Sequence, residues 1–120
     1  MAVTVTNQLN PLGAKLVQDT DANGTAVENT TGTYGTLYAV EIVNGAGTIV
    51  YFKLANAGDA TAGTTAADVV LMCAASSTQN YVFPSGIYFN SGFSHWCVTA
   101  ATESNTDNPG SAVTVRYVTS

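Results

Sequence analysis

Charge is scarce in this sequence: only 9% of its 120 residues are Asp, Glu, Lys or Arg, against roughly 25% in ordinary soluble domains. Lys15, Lys53 and Arg116 are the three basic residues, set against eight carboxylates for a net charge of −5. Nucleic-acid affinity comes chiefly from clustered cations that neutralise phosphates, and three scattered ones cannot supply it. The same shortage argues against attraction to an anionic membrane surface.

Histidine and cysteine are nearly missing too. With His95 as the single histidine and only Cys73 and Cys97, no zinc ligand set of usual spacing can be assembled. Two cysteines are also too few to frame a secreted domain. Both are expected as buried thiols, with one bridge between them as the alternative. The longest apolar run, Val69 to Ala75, is too short to cross a bilayer. Met1 to Asn10 has neither the basic n-region nor the apolar stretch of a secretory signal, so folding in a cytoplasm is expected. No G-x-S-x-G, P-loop or G-x-G-x-x-G occurs.

What is present is a β-forming composition. The apolar fraction is 46%, enough for one hydrophobic core in one ordinary domain. Thr and Val are abundant, and β-branched residues favour strands. No helical periodicity outlasts a turn or two. Turn signals recur at Asn23-Gly24, Asn44-Gly45, Gly58-Asp59, Ser85-Gly86, Ser91-Gly92 and Pro109-Gly110, the punctuation of an all-β sandwich or barrel.

Strands are expected over 2–6, 14–19, 36–44, 48–56, 68–75, 80–83, 87–90, 93–102 and 112–119. In 36–44 the alternation puts Tyr38, Val40 and Ile42 on one face and Leu37, Ala39, Glu41 and Val43 on the other. In the next strand Val50, Phe52 and Leu54 oppose Ile49, Tyr51 and Lys53. The short turn between the two predicts a hairpin. Residues 1–33 are expected as an N-terminal arm with short strands packed on the sandwich, able to extend across a neighbour, and 34–120 as the β-sandwich domain.

One segment breaks the rule that a two-layer sheet buries a single face. In Val69 to Ala75 both parities are apolar: Val69, Leu71, Cys73 and Ala75 against Val70, Met72 and Ala74. With no helix to cover the second face, a further copy of the chain or a different partner is the simplest cover, and a loop folded back over the sheet is the alternative. Val69, Leu71 and Cys73 are the expected subunit contact, although the opposite parity is equally apolar.

The candidates for chemistry are weak. His95 and Cys97 share a strand face roughly 7 Å apart, too far for a nucleophile and its base, and no acidic residue lies near them in sequence. Asp19-Thr20-Asp21-Ala22-Asn23-Gly24 copies the opening of a calcium loop. Position twelve, however, is Thr30, where a bidentate Glu is needed, and an Asn-Gly turn accounts for the same residues. Glu41, central in its strand, looks solvent-facing. Tyr34, Tyr38, Tyr51, Tyr81, Tyr88 and Tyr117 could form a sugar-binding platform, but their spread suits core rims and interfaces. The expectation is no catalytic residue, no cofactor and no metal site.

From Val50 to Val118 the sequence resembles the small β-sandwich decoration or cement proteins of tailed-bacteriophage capsids. The matching features are Tyr51-Phe52-Lys53-Leu54, the loop from Asp59 to Thr65, the strand Val69 to Met72 and the run Phe83-Pro84-Ser85-Gly86-Ile87-Tyr88-Phe89-Asn90-Ser91-Gly92-Phe93. A Trp-bearing strand and a closing Val-rich strand follow. The resemblance implies an antiparallel, jelly-roll-like sandwich of about eight strands, commonly a trimer. It would sit on the major capsid protein of a virion and stabilise the shell. Another virion part (a tail, knob or fibre component) and a carbohydrate-binding module are the other readings.

Overall fold

Alternating β-branched and aromatic residues make extended segments whose apolar parity must be hidden from water. The computed structural model describes residues 3–7 and 15–120, and hides that parity between two antiparallel sheets. Eight strands and, among the described residues, no helix make it an all-β sandwich. In chain order the strands are β1 (Val3–Asn7), β2 (Lys15–Asp19), β3 (Gly35–Asn44), β4 (Val50–Asn56), β5 (Val69–Cys73), β6 (Ser77–Phe89), β7 (Phe93–Val98) and β8 (Val113–Thr119).

The larger sheet has the order β1-β2-β8-β3-β6, and the smaller one β5-β4-β7. Between them lie Val17, Leu37, Val40, Ile42, Phe52, Leu54, Leu71, Phe89, Phe93, Val115 and Tyr117, all essentially inaccessible to solvent. Of the segment expected as an N-terminal arm, residues 1, 2 and 8–14 lie outside the described residues. Its described strands are hydrogen-bonded into the larger sheet, β1 to β2 and β2 to β8.

Three expectations need correction. First, β3 and β4 do not form a hairpin: β3 belongs to the larger sheet and β4 to the smaller. Val40 and Ile42 thereby face Val50, Phe52 and Leu54 across the interior instead of lying beside them. Asn44 holds the crossing. Its buried side-chain amide donates to the carbonyls of Thr48 (2.9 Å), Cys73 (3.3 Å) and Ala74 (3.0 Å), and its oxygen accepts from the Ala46 N–H (2.9 Å). One side chain thus ties the start of β4 and the end of β5 to the end of β3, where a paired hairpin would have used backbone.

Second, a bulge between Leu37 and Ala39 shifts the alternation of β3. Leu37 joins Val40 and Ile42 in the core, while Tyr38 and Ala39 are half-buried. An inserted residue flips parity on one side of itself, which simple alternation cannot register. Third, the expected pieces 80–83 and 87–90 are parts of one strand, β6. Pro84 fits within it because β6 is the outermost strand of its sheet. Gly86, at φ +72°, absorbs the irregularity; a Cβ there would stand 2.2 Å from Thr36 Cγ2.

The open edge of β7 is closed by the segment 23–30, whose backbone pairs with it at Asn23, Val27 and Thr30. The outer face of the smaller sheet is largely covered as well. Trp96, Val98 and Ala55 pack beneath Ala57, Ala60, Ala62, Ala67 and Ala26. The loop folded back over the sheet, the alternative to a second copy, is therefore realised over β4 and β7. It stops short of β5, where Val70 (43%) and Met72 (46%) remain exposed.

Candidate functional site

The polar residues that the fold buries converge on one place. His95 projects from β7 into the interior, between Asp19 at the end of β2 and Tyr117 of β8. Its Nε2 lies 2.8 Å from Asp19 Oδ2, and its Nδ1 lies 2.9 Å from the Tyr117 hydroxyl. That hydroxyl is 2.8 Å from Thr30 Oγ1, and the second oxygen of Asp19 accepts from the Asp21 N–H at 2.9 Å. In the neutral imidazole, Nε2–H donates to the carboxylate and Nδ1 accepts from tyrosine, whose oxygen accepts in turn from threonine. Every link of the Asp19–His95–Tyr117–Thr30 chain then has a donor and an acceptor.

The electrostatics of the set are those of a closed network. Burial works to raise the Asp19 pKa, but the His95 hydrogen bond and the Asp21 amide outweigh it, so the carboxyl lies below its ordinary value. Tyr117 is held well above the usual phenol range, first by burial, with Asp19 adding to it against the Thr30 bond. A histidine oriented by a carboxylate is one half of a hydrolytic triad. Here the other ring nitrogen meets a phenol that stays protonated, and His95, Asp19 and Tyr117 are 0%, 1% and 0% exposed. No substrate can reach any of them. The arrangement ties the two sheets together through charge-assisted hydrogen bonds.

The sequence candidates fall out as follows. Cys97 does not face His95 as a partner. Both cysteines are free and buried, and burial, with Cys73 and Asp19 nearby, pushes the Cys97 thiol up to about 12, far from a reactive thiolate. Two side chains of the calcium-like loop, Asp19 and Asn23, are used internally. Asp19 holds His95, while Asn23 accepts from the Thr25 N–H (2.9 Å) and donates to the Asp21 carbonyl (3.2 Å). Among the described residues no cluster of three or more metal-ligating side chains exists. Tyr117 is core, Tyr81 donates to the Met72 carbonyl at 2.6 Å, and Tyr34 and Tyr88 are exposed with their rings edge to face.

Leu71 and Cys73 point into the core and Val69 packs against it. The parity of β5 that meets solvent is that of Val70 and Met72. On the outer face of the larger sheet, Glu41 is half-buried and pairs with Arg116 at 2.7 Å, which also holds Gln18 at 2.7 Å. Beside this polar cluster runs a shallow groove of about 250 Å³ between β6, β3 and β8, floored by Ala39, Val82 and Val118. Val82 (65%), Tyr88 (62%) and Val43 (37%) are exposed on these strands.

Sequence reasoning had placed His95 on one strand face with Cys97 and found no acid near it in sequence. Asp19 lies 76 positions away, and the stacking of the larger sheet, where β2 pairs with β8, on the smaller one brings it into reach. No protein-family model, curated protein or solved structure matches the chain.

Proposed function

We propose that this chain is a non-enzymatic structural subunit that assembles with further copies of itself, and that a capsid shell is the surface it decorates. The observation that carries the first part is β6. It is a 13-residue edge strand without a single charged side chain, hydrogen-bonded on one side to β3 and, among the described residues, to no strand on the other. Natural edge strands are usually guarded by charge, by shortness or by a covering loop. Pro84 and the bulge guard only the middle of this one, leaving Ser77 to Val82 regular and open. The exposed Val82 and the apolar groove beside it offer side-chain contact next to the free backbone.

Burial of the only histidine and both cysteines supports the non-catalytic part of the reading. The capsid part is supported by the resemblance of Val50 to Val118 and by the low charge of the surface, which offers little electrostatic resistance to close packing. In such a role the sheets bridge neighbouring shell subunits, and buried apolar contact resists their separation. Another virion component would use the same surface. A carbohydrate-binding module has less support, because Tyr34 and Tyr88 meet at 71° and form no coplanar platform.

The test is to quantify the chain in purified intact particles from the source that encodes it. Stoichiometric recovery with the shell is expected. Its absence from particles, or a catalytic activity lost with His95→Ala, would overturn the reading.

A further inference from the structure

A sandwich of two open sheets has four outermost strands, and here three are guarded by cover or by shortness. The segment 23–30 lies along the backbone of β7. β5 has five residues, and the Tyr81 hydroxyl takes its Met72 carbonyl at 2.6 Å. β1 is also five residues long. β6, at 13 residues without a charge, has neither guard along Ser77 to Val82.

The topology says which strand can lie against it. Every pairing in the larger sheet is antiparallel. With five strands in the order β1-β2-β8-β3-β6, the two outermost therefore run the same way. If two copies join their larger sheets with both smaller sheets on one side, β1 against β6 pairs in parallel. β6 against β6, across a two-fold axis normal to the sheet, pairs antiparallel, the more stable ladder.

Parity and the strand ends fix the register. Tyr81 and Phe83 pack on the core, so Thr78, Asn80 and Val82 face outward. Across such an axis each residue opposes one of its own face, so the axis passes through a residue and not between two. Ser76 leaves the extended region at φ +52°, and Pro84 lacks an N–H. An axis through Asn80 sets these two breakers opposite each other, outside the regular stretch. An axis through Gln79 or Tyr81 sets one of them inside it. With Asn80 on the axis, Thr78 meets Val82 of the second copy and Gln79 meets Tyr81, so no like charges are opposed.

We propose that two copies join β6 to β6 across a two-fold axis at Asn80, making their five-stranded sheets one continuous antiparallel sheet. The contact rests on the assembly reading above and specifies its partner strand, symmetry and register.

Single cysteines test it. Opposed Cα atoms in an antiparallel ladder stand roughly 4.5–5.5 Å apart, within disulfide reach. Under mild oxidation Asn80→Cys should link to its own copy on the order of ten times faster than Val70→Cys on β5, because pairing raises the effective thiol concentration. Thr78→Cys and Val82→Cys should each stay unlinked alone, since each lies four residues, roughly 13 Å, from its own copy. Mixed in equal amounts, those two should form the mixed disulfide. All four sites are exposed, so folding should tolerate the changes. Cys73 and Cys97 are free and buried, and the parent protein sets their background. Linkage of Asn80→Cys no faster than Val70→Cys, or no mixed product from Thr78→Cys with Val82→Cys, would overturn the proposal. Sedimentation of the reduced parent separates the two failures: an oligomer with no β6 link removes this contact alone, and a monomer with no link removes the assembly reading with it.

Discussion

His95 shows how much of this protein depends on single side chains that meet across long stretches of chain. Strand parity alone puts His95 and Cys97 on one face of β7, and the structure turns that face inward. What parity cannot supply is the partner, because Asp19 and Tyr117 arrive from β2 and β8 through sheet pairing. Asp19 was legible only as the opening of a calcium-like loop, the same short polar pattern serving a different purpose. Asn44 was read as half of an Asn-Gly turn, whereas its buried amide holds three carbonyls. Replacing Asp19 by Asn keeps the shape and removes the charge facing His95. The Asp19→Asn variant should be less stable than the parent at pH 7 by about 1–3 kcal/mol. Because the folded-state pKa of Asp19 lies below its ordinary 3.8, the unfolded chain binds the proton first as pH falls. That stabilisation is complete above 3.8 and is lost as pH drops through the folded value. Urea titrations across this range should show the gap between the proteins narrowing below pH 3.8, and a gap constant with pH would contradict the role given to the charge.

Among the elements, position along the chain was legible and lateral pairing was not. Strong alternation marked β3 and β4, yet a tight turn between two apolar strands fits an arch between sheets as well as a hairpin within one. The choice is made by which faces must be buried together, a property of the whole core. The two pieces expected around Pro84 merge because proline loses only a donor that an outermost strand does not use. Ala57, Ala60, Ala62 and Ala67 pack on Trp96 and Val98, a cover that no strand periodicity announces. For β6 the consequence is direct. Val82→Lys puts a charge on the free edge at a site 65% exposed, so its effect on folding should stay within about 0.5 kcal/mol. Self-association should weaken at least tenfold, since an inserted edge charge is the usual guard against strand addition. Equilibrium sedimentation of the two proteins side by side checks this; equal association would move the contact elsewhere, with Val70 and Met72 of β5 the next surface to alter.

At the scale of the whole molecule, the all-β class, the number of strands and the existence of two layers followed from turn spacing and β-branched composition. The amount of apolar surface left over did not, because the chain hides more of it than alternation indicated. Loops cover the smaller sheet and the segment 23–30 closes the edge of β7. What stays open is narrower and better defined: the β6 edge with its groove, and the outward pair on β5. Such a surface, on a domain with so little charge, is suited to being covered by neighbours. The most direct measurement is sedimentation velocity of the purified chain at micromolar to tens-of-micromolar concentration. A discrete oligomer is the expected result. A single species at the monomer mass of 12.3 kDa across that whole range would contradict the account of this chain as an assembling subunit.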